Sequence, residues 1–276
     1  MPEDLHVADA EVGVNRRWVA VVVLALTAAG LAIPLVLPGG AGNETLLEQL
    51  VGTLGLAAFA AGGALIAWRL PRHPVGWLFS GLALSEALVR VSIGWARYAL
   101  ITRDGDVPGG ELAGWVYGWA WALPTFLPVF VAFLFPDGSP PGRIWRAVTR
   151  AAAGALLVLV IASSLYPSLF EDQQGWPAGI DNPLGIPGAT PVLDVVTALA
   201  LFLLAIAGAL SVISVVVRYR RAGEVQRQQL RLVFGAGALV GVGAVVPTPD
   251  VVGVASLAVL AVTATLAILR HRLYGV

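Results

Sequence analysis

The sequence predicts an all-α fold, a polytopic transmembrane helical bundle of about eight helices with the N and C termini cytoplasmic. Three observations support this prediction. Of the 276 residues, 58% are hydrophobic and 12% are charged, whereas soluble proteins average about 25% charged residues. Apolar runs recur along the chain at about 20 residues, the length that a helix needs to cross a bilayer. Finally, all 17 basic residues are arginines, and they fall almost entirely in alternate loops.

The first apolar run, Trp18–Leu37, directly follows Arg16 and Arg17. A secretory signal also begins with basic residues, but its apolar region is only about 7–15 residues long. The run is longer than that and therefore predicts a retained helix. Residues Met1–Asn15 are polar and acidic without an apolar period, which predicts a short disordered cytoplasmic tail.

Seven further runs complete the single transmembrane domain predicted over residues 16–276. In the fourth run, Pro124 and Pro128 each remove a backbone donor and predict a kink. The seventh run is short and ends at Pro247, so it is either a full span or a tilted or re-entrant segment paired with the eighth. Residues Pro167–Pro191 show no helical or strand period and predict an external loop. The predicted spans are Trp18–Leu37, Leu50–Trp68, Val75–Ile101, Leu112–Phe135, Ala147–Tyr166, Val192–Val217, Leu232–Val246 and Val251–Leu269.

The arginines predict the orientation, because cytoplasmic loops of membrane proteins are enriched in positive charge. One set of loops contains most of the arginines, and the opposite set contains mainly Asp and Glu beside a single Arg103. The Arg-rich set is therefore predicted to be cytoplasmic and the protein to be a multi-pass protein of the cell membrane, with the lipid bilayer as its first partner. The Arg-rich set comprises Arg16, Arg17, Arg69, Arg72, Arg143, Arg146, Arg150, Arg218, Arg220, Arg221, Arg227, Arg231, Arg270 and Arg272.

Three ionisable residues of the third span, Glu86, Arg90 and Arg97, share one face of the helix. A charge near the middle of a membrane costs about 2.5–3.5 kcal/mol on insertion scales, so Glu86 and Arg90 are expected to point into the bundle and to pair. Two interpretations remain open. The residues form a ligand-binding or proton-responsive site, or they form a structural ion pair with Arg97 reaching the external interface.

Aromatic residues crowd the external half of the fourth span. Trp115, Tyr117, Trp119 and Trp121 form alternating i, i+4 pairs, and Trp95 lies at a similar depth on the third span. Such residues often form a belt at the lipid interface, but four in seven positions cover more than one helix face. They therefore predict a ligand pocket walled by these rings. The polar contacts predicted for this pocket are Arg90, Arg97 and Asp194, although Asp194 also suits the N-terminal end of a helix.

Other chemistry is poorly supported by the sequence. There is no Cys, and the three histidines, His6, His73 and His271, lack metal-ligand spacing. The chain has no nucleophile elbow, P-loop or zinc motif. The sequence therefore predicts neither an enzyme nor a catalytic residue, metal or cofactor site, and nothing in it points to nucleic acid.

Several short motifs, in a fixed order over about 200 residues, resemble the multi-pass N-terminal input region of actinobacterial sensor histidine kinases of two-component systems. These motifs lie in the boundary segments and in the large external loop. They are Arg72-His73-Pro74-Val75-Gly76-Trp77, Leu134-Phe135-Pro136-Asp137-Gly138, Arg143-Ile144-Trp145-Arg146, Asn182-Pro183-Leu184-Gly185, Arg220-Arg221-Ala222-Gly223, Val225-Gln226-Arg227-Gln228-Gln229-Leu230-Arg231 and Leu269-Arg270-His271-Arg272-Leu273-Tyr274.

The resemblance implies a membrane sensory and signal-transduction module. In the family the chain continues past Arg-Leu-Tyr with an acidic residue, a long signalling helix and the kinase domains. Here Gly275 stands in place of the acidic residue and the sequence ends at Val276, so we expect an input domain without its own transmitter. A stimulus in the external half would shift the helix packing, and the last span would carry the shift inward. The residues expected to transmit it are Arg227, Gln228, Gln229, Arg231, Arg272 and Tyr274.

Such a module would work as a homodimer or with a cytoplasmic kinase or response-regulator partner. Three alternatives remain open: a small transporter or permease component with Glu86 and Arg90 in its pathway, a structural membrane protein, and a truncated remnant. The transporter is disfavoured because the sequence has no inverted repeat and no paired broken helices.

Overall fold

The structure, a computed structural model, describes residues 3–37, 46–170, 176, 180–223, 227, 259–266 and 268–269. These residues form an all-α bundle with one very short pair of strands. The helices are α1 (Glu3–Val36), α2 (Leu46–Arg69), α3 (Pro74–Arg97), α4 (Gly110–Ala120), α5 (Ala122–Leu134), α6 (Arg143–Ser164) and α7 (Thr190–Arg221). Residues 259–266 are also helical.

Among the residues that the structure describes, five helical segments are long and apolar enough to cross a membrane. Their positions agree with the second to sixth spans predicted from the sequence. They are Gly52–Arg69, Pro74–Thr102, Gly110–Leu134, Arg143–Ser164 and Thr190–Arg221. Large apolar side chains, such as Phe202 on α7 and Leu157 on α6, point away from the bundle, as expected for helices in contact with lipid.

The first helix differs from the prediction at its start. Helix α1 begins at Glu3 and runs without interruption to Val36, so residues 3–15 are helical where the sequence predicted a disordered tail. The apolar part described in this helix, Arg17–Ile33, is shorter than the five spans above.

The last two of the eight predicted spans cannot be compared in full with the structure, because they lie wholly or partly outside the described residues. The seventh, Leu232–Val246, lies outside the described residues, and so does the Pro247-Thr248-Pro249-Asp250 segment that follows it. Of the eighth, Val251–Leu269, the described part is helical at residues 259–266. The count of eight helices and the cytoplasmic position of the termini therefore remain predictions.

The fourth span is interrupted where the prolines predicted a disturbance. Helix α4 ends at Ala120, and α5 begins at Ala122, with Trp121 between them. Pro124 has no N–H to donate to the carbonyl four residues earlier, Ala120 O. The break at Trp121 follows from this loss, while Pro128 is accommodated inside α5.

The segment between α6 and α7 has more structure than the sequence predicted. Strands β1 (Ser168–Leu169) and β2 (Ile180–Asp181) pair antiparallel, with Ser168 opposite Asp181. Strands of two residues are too short to produce a recognisable alternation of polar and apolar positions, which is why the sequence pattern predicted only a loop.

The core consists of two clusters joined by α3 and α5. One cluster packs α1, α2 and α3 around Phe59 and Phe79, whose rings meet edge to face at 5.2 Å between centroids. The other packs α5, α6 and α7 around Phe133, Leu159 and Leu204, which are fully buried.

The bundle has two chemically different ends. At the Arg-rich end, the α2–α3 connection, the α5–α6 connection and the end of α7 meet, because His73 contacts Pro136 and Arg218 contacts Phe135. At the aromatic end, the ends of α3 and α6 meet the starts of α4 and α7, since Trp115 contacts Ser164 and Tyr166 contacts Asp194. The loops at the two ends thus separate as the Arg distribution predicted.

Candidate functional site

A cavity of about 360 Å³ opens at the aromatic end, between α4, the end of α6, β1 and the first turns of α7. Aromatic side chains make up much of its wall, together with the hydroxyl groups of Ser163 and Thr197. This volume lies in the range of about 300–1,000 Å³ that is usual for small-molecule sites. The aromatic lining residues are Tyr117, Trp121, Tyr166 and Phe170.

One carboxylate is connected to the wall of the cavity by a hydrogen bond. The Tyr166 hydroxyl donates to Asp194 Oδ1 at 2.9 Å and also lies 3.3 Å from Thr197 Oγ1. Burial raises the pKa of the Tyr166 hydroxyl, and the neighbouring Asp194 carboxylate raises it further. Tyr166 therefore keeps its proton at neutral pH and remains a hydrogen-bond donor to Asp194.

A stack of rings closes one side of the cavity. Phe170 lies between Tyr117 and Trp176, with 5.9 Å between centroids to Tyr117 and 3.7 Å to Trp176. The guanidinium of Arg97 lies over the Trp176 ring, 5.2 Å from its centroid. Arg97, which the sequence predicted as a site residue, is therefore positioned on the outer side of this stack by a cation–π interaction.

Of the rings predicted to wall a pocket, Tyr117 and Trp121 line this cavity, whereas Trp95, Trp115 and Trp119 lie beside it. Trp115 Nε1 donates to Ser164 O at 2.9 Å, and the Trp115 and Trp119 rings meet edge to face. Trp119 Nε1 is buried and has no partner among the described residues. Trp95 Nε1 donates to Pro108 O at 3.3 Å. These three rings hold helix ends together at the aromatic end.

The α4 face that carries Tyr117 and Trp121 forms the cavity wall, and the sequence did not distinguish it from the face of Trp115 and Trp119. Gly114, Tyr117, Gly118 and Trp121 line the cavity at the i, i+3, i+4, i+7 spacing of one helix face. The sequence did contain a signal for this face, because Gly114 and Gly118 have no side chain and lie on the same face as the Tyr117 and Trp121 rings. The contributions of Tyr166 and Phe170 had no such signal, because both come from the segment after α6.

Glu86 and Arg90 form the ion pair that the sequence predicted, with 3.1 Å between Arg90 Nε and Glu86 Oε1. Their side chains are about a quarter exposed, at 24% and 25%. A Cβ added at Gly52 would lie 3.0 Å from Arg90 Nη2, so the pair packs against α2. Neither residue of the pair lines the cavity beside Asp194.

Two buried groups hold the Arg-rich end together. His73 Nε2 lies 3.0 Å from Pro136 O, which ties the start of α3 to the segment after α5. Arg218 on α7 is 8% exposed and donates through its two terminal nitrogens to Phe135 O and Phe133 O. The last carbonyls of a helix lack partners within it, and Arg218 satisfies two of them at the end of α5.

Two of the motifs on which the family resemblance rests, both within the described part of the chain, occupy contact points of the fold. Val75 is fully buried, and Trp77 Nε1 donates to Pro71 O at 2.9 Å, so the first of these motifs fixes the start of α3. The side-chain amide of Asn182 donates to Ser164 O at 3.0 Å and to Tyr166 O at 2.6 Å. The Asn182 motif thereby anchors the segment that carries Tyr166.

Of the six residues predicted to transmit a signal, Arg227 is described. Its side chain donates from Nε to Tyr219 O at 3.3 Å and from Nη2 to Arg220 O at 3.1 Å. Arg227 therefore caps carbonyls in the last turn of α7. Gln228, Gln229, Arg231, Arg272 and Tyr274 lie outside the described residues.

The arrangement is suited to binding. Aromatic surface, hydroxyl groups and an adjacent carboxylate can hold a small molecule, and no group of three or more potential metal ligands occurs among the residues that the structure describes. No family model, curated protein or solved structure matches the chain.

Proposed function

We propose that the protein is a membrane sensory module that binds a small molecule at the aromatic end and signals to a cytoplasmic kinase or response regulator at the Arg-rich end. It works as a multi-pass bundle in the cell membrane, with the Arg-rich end in the cytoplasm. The resemblance to the input region of sensor histidine kinases led to this proposal, and the five apolar segments long enough to cross a membrane support its membrane location.

The main support for the proposal is helix α7, which connects the cavity to the Arg-rich end of the bundle. Thr197 on this helix lines the cavity, and Asp194 contacts the lining residue Tyr166. Arg218 on the same helix contacts the end of α5 at the other end of the bundle. The 24 positions from Asp194 to Arg218 (218 − 194) correspond to about 36 Å of helix. A rigid helix of this length moves as a unit, so a displacement at the cavity reaches the Arg-rich end.

Co-purification from native membranes tests this proposal. Full-length protein is compared with a variant lacking residues 269–276, followed by mass spectrometry of bound proteins. A deletion of equal length near the other terminus, residues 2–9, is the matched control. We expect a histidine kinase or response regulator to be recovered with the full-length protein and the control, and to be lost from the 269–276 deletion. Recovery of no signalling protein with the full-length chain contradicts the proposal.

A transporter or permease component is the second candidate, favoured by one observation. Glu86 and Arg90 form an ion pair within a helix that is long enough to span a membrane, and such residues often mark an ion or substrate pathway. Glu86→Gln should then abolish substrate or proton uptake into vesicles, whereas the sensory proposal expects no uptake by the wild-type protein.

A further inference from the structure

We infer that the cavity at the aromatic end is a binding site for a small organic cation, namely a quaternary ammonium compound or a protonated amine. The inference rests on the proposed function and deepens it, because it names the chemical class of the stimulus.

The wall has the chemistry that attracts a cation. The faces of aromatic rings carry partial negative charge and attract a cation within about 6 Å of the ring centroid, Trp most strongly. Tyr117 and Trp121 on the α4 face and Tyr166 from the segment after α6 line one cavity. The remaining polar groups named above are hydroxyls, which can bond to a polar tail of the ligand.

The charges nearest to the wall favour a cation over an anion. Among the described residues, no Arg, Asp or Glu side chain lines the cavity. The Asp194 carboxylate, however, accepts a hydrogen bond from the lining residue Tyr166. The guanidinium of Arg97 lies beyond Trp176, which covers Phe170. A carboxylate therefore stands directly behind the wall, while the arginine is separated from the cavity by stacked rings.

The charges at the aromatic end as a whole also favour a cation. At the aromatic end the described residues include five carboxylates and two guanidinium groups. A site with negative surroundings raises the local concentration of cations. The carboxylates are those of Asp104, Asp106, Glu111, Asp181 and Asp194, and the guanidinium groups are those of Arg97 and Arg103.

Calorimetric titration of the purified protein with choline tests the inference. The protein is placed in bilayer discs of phosphatidylglycerol, whose headgroups carry no competing cation. The matched probe is 3,3-dimethylbutanol, which has the shape of choline without its charge. We expect saturable binding of choline that is about tenfold tighter than binding of the neutral alcohol, the contribution of roughly 1.4 kcal/mol that cation–π contacts supply. Equal binding of the two probes, or no saturable binding of choline beyond that to empty discs, overturns the inference.

Two charge variants locate the site. Asp194→Asn and Asp106→Asn each remove one carboxylate from exposed positions at the same end. Asp194 accepts a hydrogen bond from the lining residue Tyr166, whereas Asp106 lies in the connection between α3 and α4, outside the lining. We expect choline binding to weaken roughly twofold to fivefold in Asp194→Asn, the range for an exposed charge pair, and to stay unchanged in Asp106→Asn. Equal losses in both variants would show a diffuse attraction to the surface and overturn the site. Circular dichroism confirms that both variants retain their helix content.

Failure of the inference and failure of the proposed function give different results. Choline binding without recovery of a signalling protein leaves the cation site in place and removes the sensory role. Recovery of a signalling protein without binding of choline supports the sensory role and removes the cation site. The stimulus then belongs to another chemical class.

Discussion

The Tyr166 hydroxyl donates a hydrogen bond to Asp194 Oδ1 at 2.9 Å, across 28 positions of the chain. This bond joins the segment after α6 to the first turns of α7 and places a carboxylate behind the wall of the cavity. It depends on the Tyr166 proton, because a phenolate has no hydrogen to donate and would repel the carboxylate.

The first prediction concerns high pH. Burial raises the pKa of Tyr166 above its usual value of 10.0, so the folded state holds this proton more tightly than the unfolded state. Below pH 10 the group adds no pH dependence, and the free energy of unfolding falls as the pH rises above 10. Wild-type protein should lose more thermal stability above this pH than Tyr166→Phe does. The tyrosinate absorbance reached at high pH should also be lower in Tyr166→Phe, and its difference from the wild type should develop above pH 10.

The second prediction concerns the cap at the end of α5. Arg218→Met removes both donors to Phe133 O and Phe135 O. A buried carbonyl left without a partner costs about 1–3 kcal/mol, so the thermal midpoint in detergent should fall clearly. Arg220→Met is the control, since Arg220 is exposed on the same last turn of α7. An Arg218→Met midpoint equal to that of Arg220→Met would mean that the cap adds no stability.

The third prediction concerns the Glu86–Arg90 pair. Glu86→Gln leaves Arg90 without its counterion within a span, and the free energy of unfolding should fall. Arg90→Gln in the same chain removes the unpaired charge and should recover part of the loss. A double-mutant cycle of the two substitutions measures the coupling, for which we expect about 0.5–3 kcal/mol. Additive effects of the two changes would rule out an energetically significant pair.

The fourth prediction concerns the close approach of α2 and α3. A Cβ at Gly63 would lie 2.5 Å from Ser80 N and 2.9 Å from Gly76 O, which are backbone atoms that cannot rotate away. Gly63→Ala should therefore destabilise the bundle by about 1–3 kcal/mol. Gly154→Ala is the matched control, because a Cβ there meets nothing within 4 Å. It should leave stability unchanged or improve it, as alanine favours helix.

The fifth prediction tests the orientation inferred from the arginines. The chain has no cysteine, so single cysteines can report on each end of the bundle. Asp106 is exposed at the aromatic end, and Ser139 is exposed at the Arg-rich end. In intact cells a membrane-impermeant maleimide should label Asp106→Cys, and Ser139→Cys should react only after permeabilisation. The opposite pattern would invert the proposed topology.

The sequence by itself determined the positions of the five helical segments that are long enough to span a membrane, because a run of about 20 apolar residues leaves few other stable structures. It also determined the separation of the arginines from the acidic residues, and the Glu86–Arg90 pair, which depends only on helical spacing along α3. These features are local, so the periodicity of one segment is enough to predict them.

Only the tertiary structure decided which aromatic face of α4 became part of a cavity. Trp115 and Trp119 share one i, i+4 spacing and Tyr117 and Trp121 share the same spacing, so the sequence offers two equivalent faces. The choice depends on the rotation of α4 against its neighbours and on the Phe170 segment that packs on Gly114. The bonds from Arg218 to Phe135 and from His73 to Pro136 cross 83 and 63 positions. Such contacts arise from the packing of distant helices, which the helical period of a single segment does not specify.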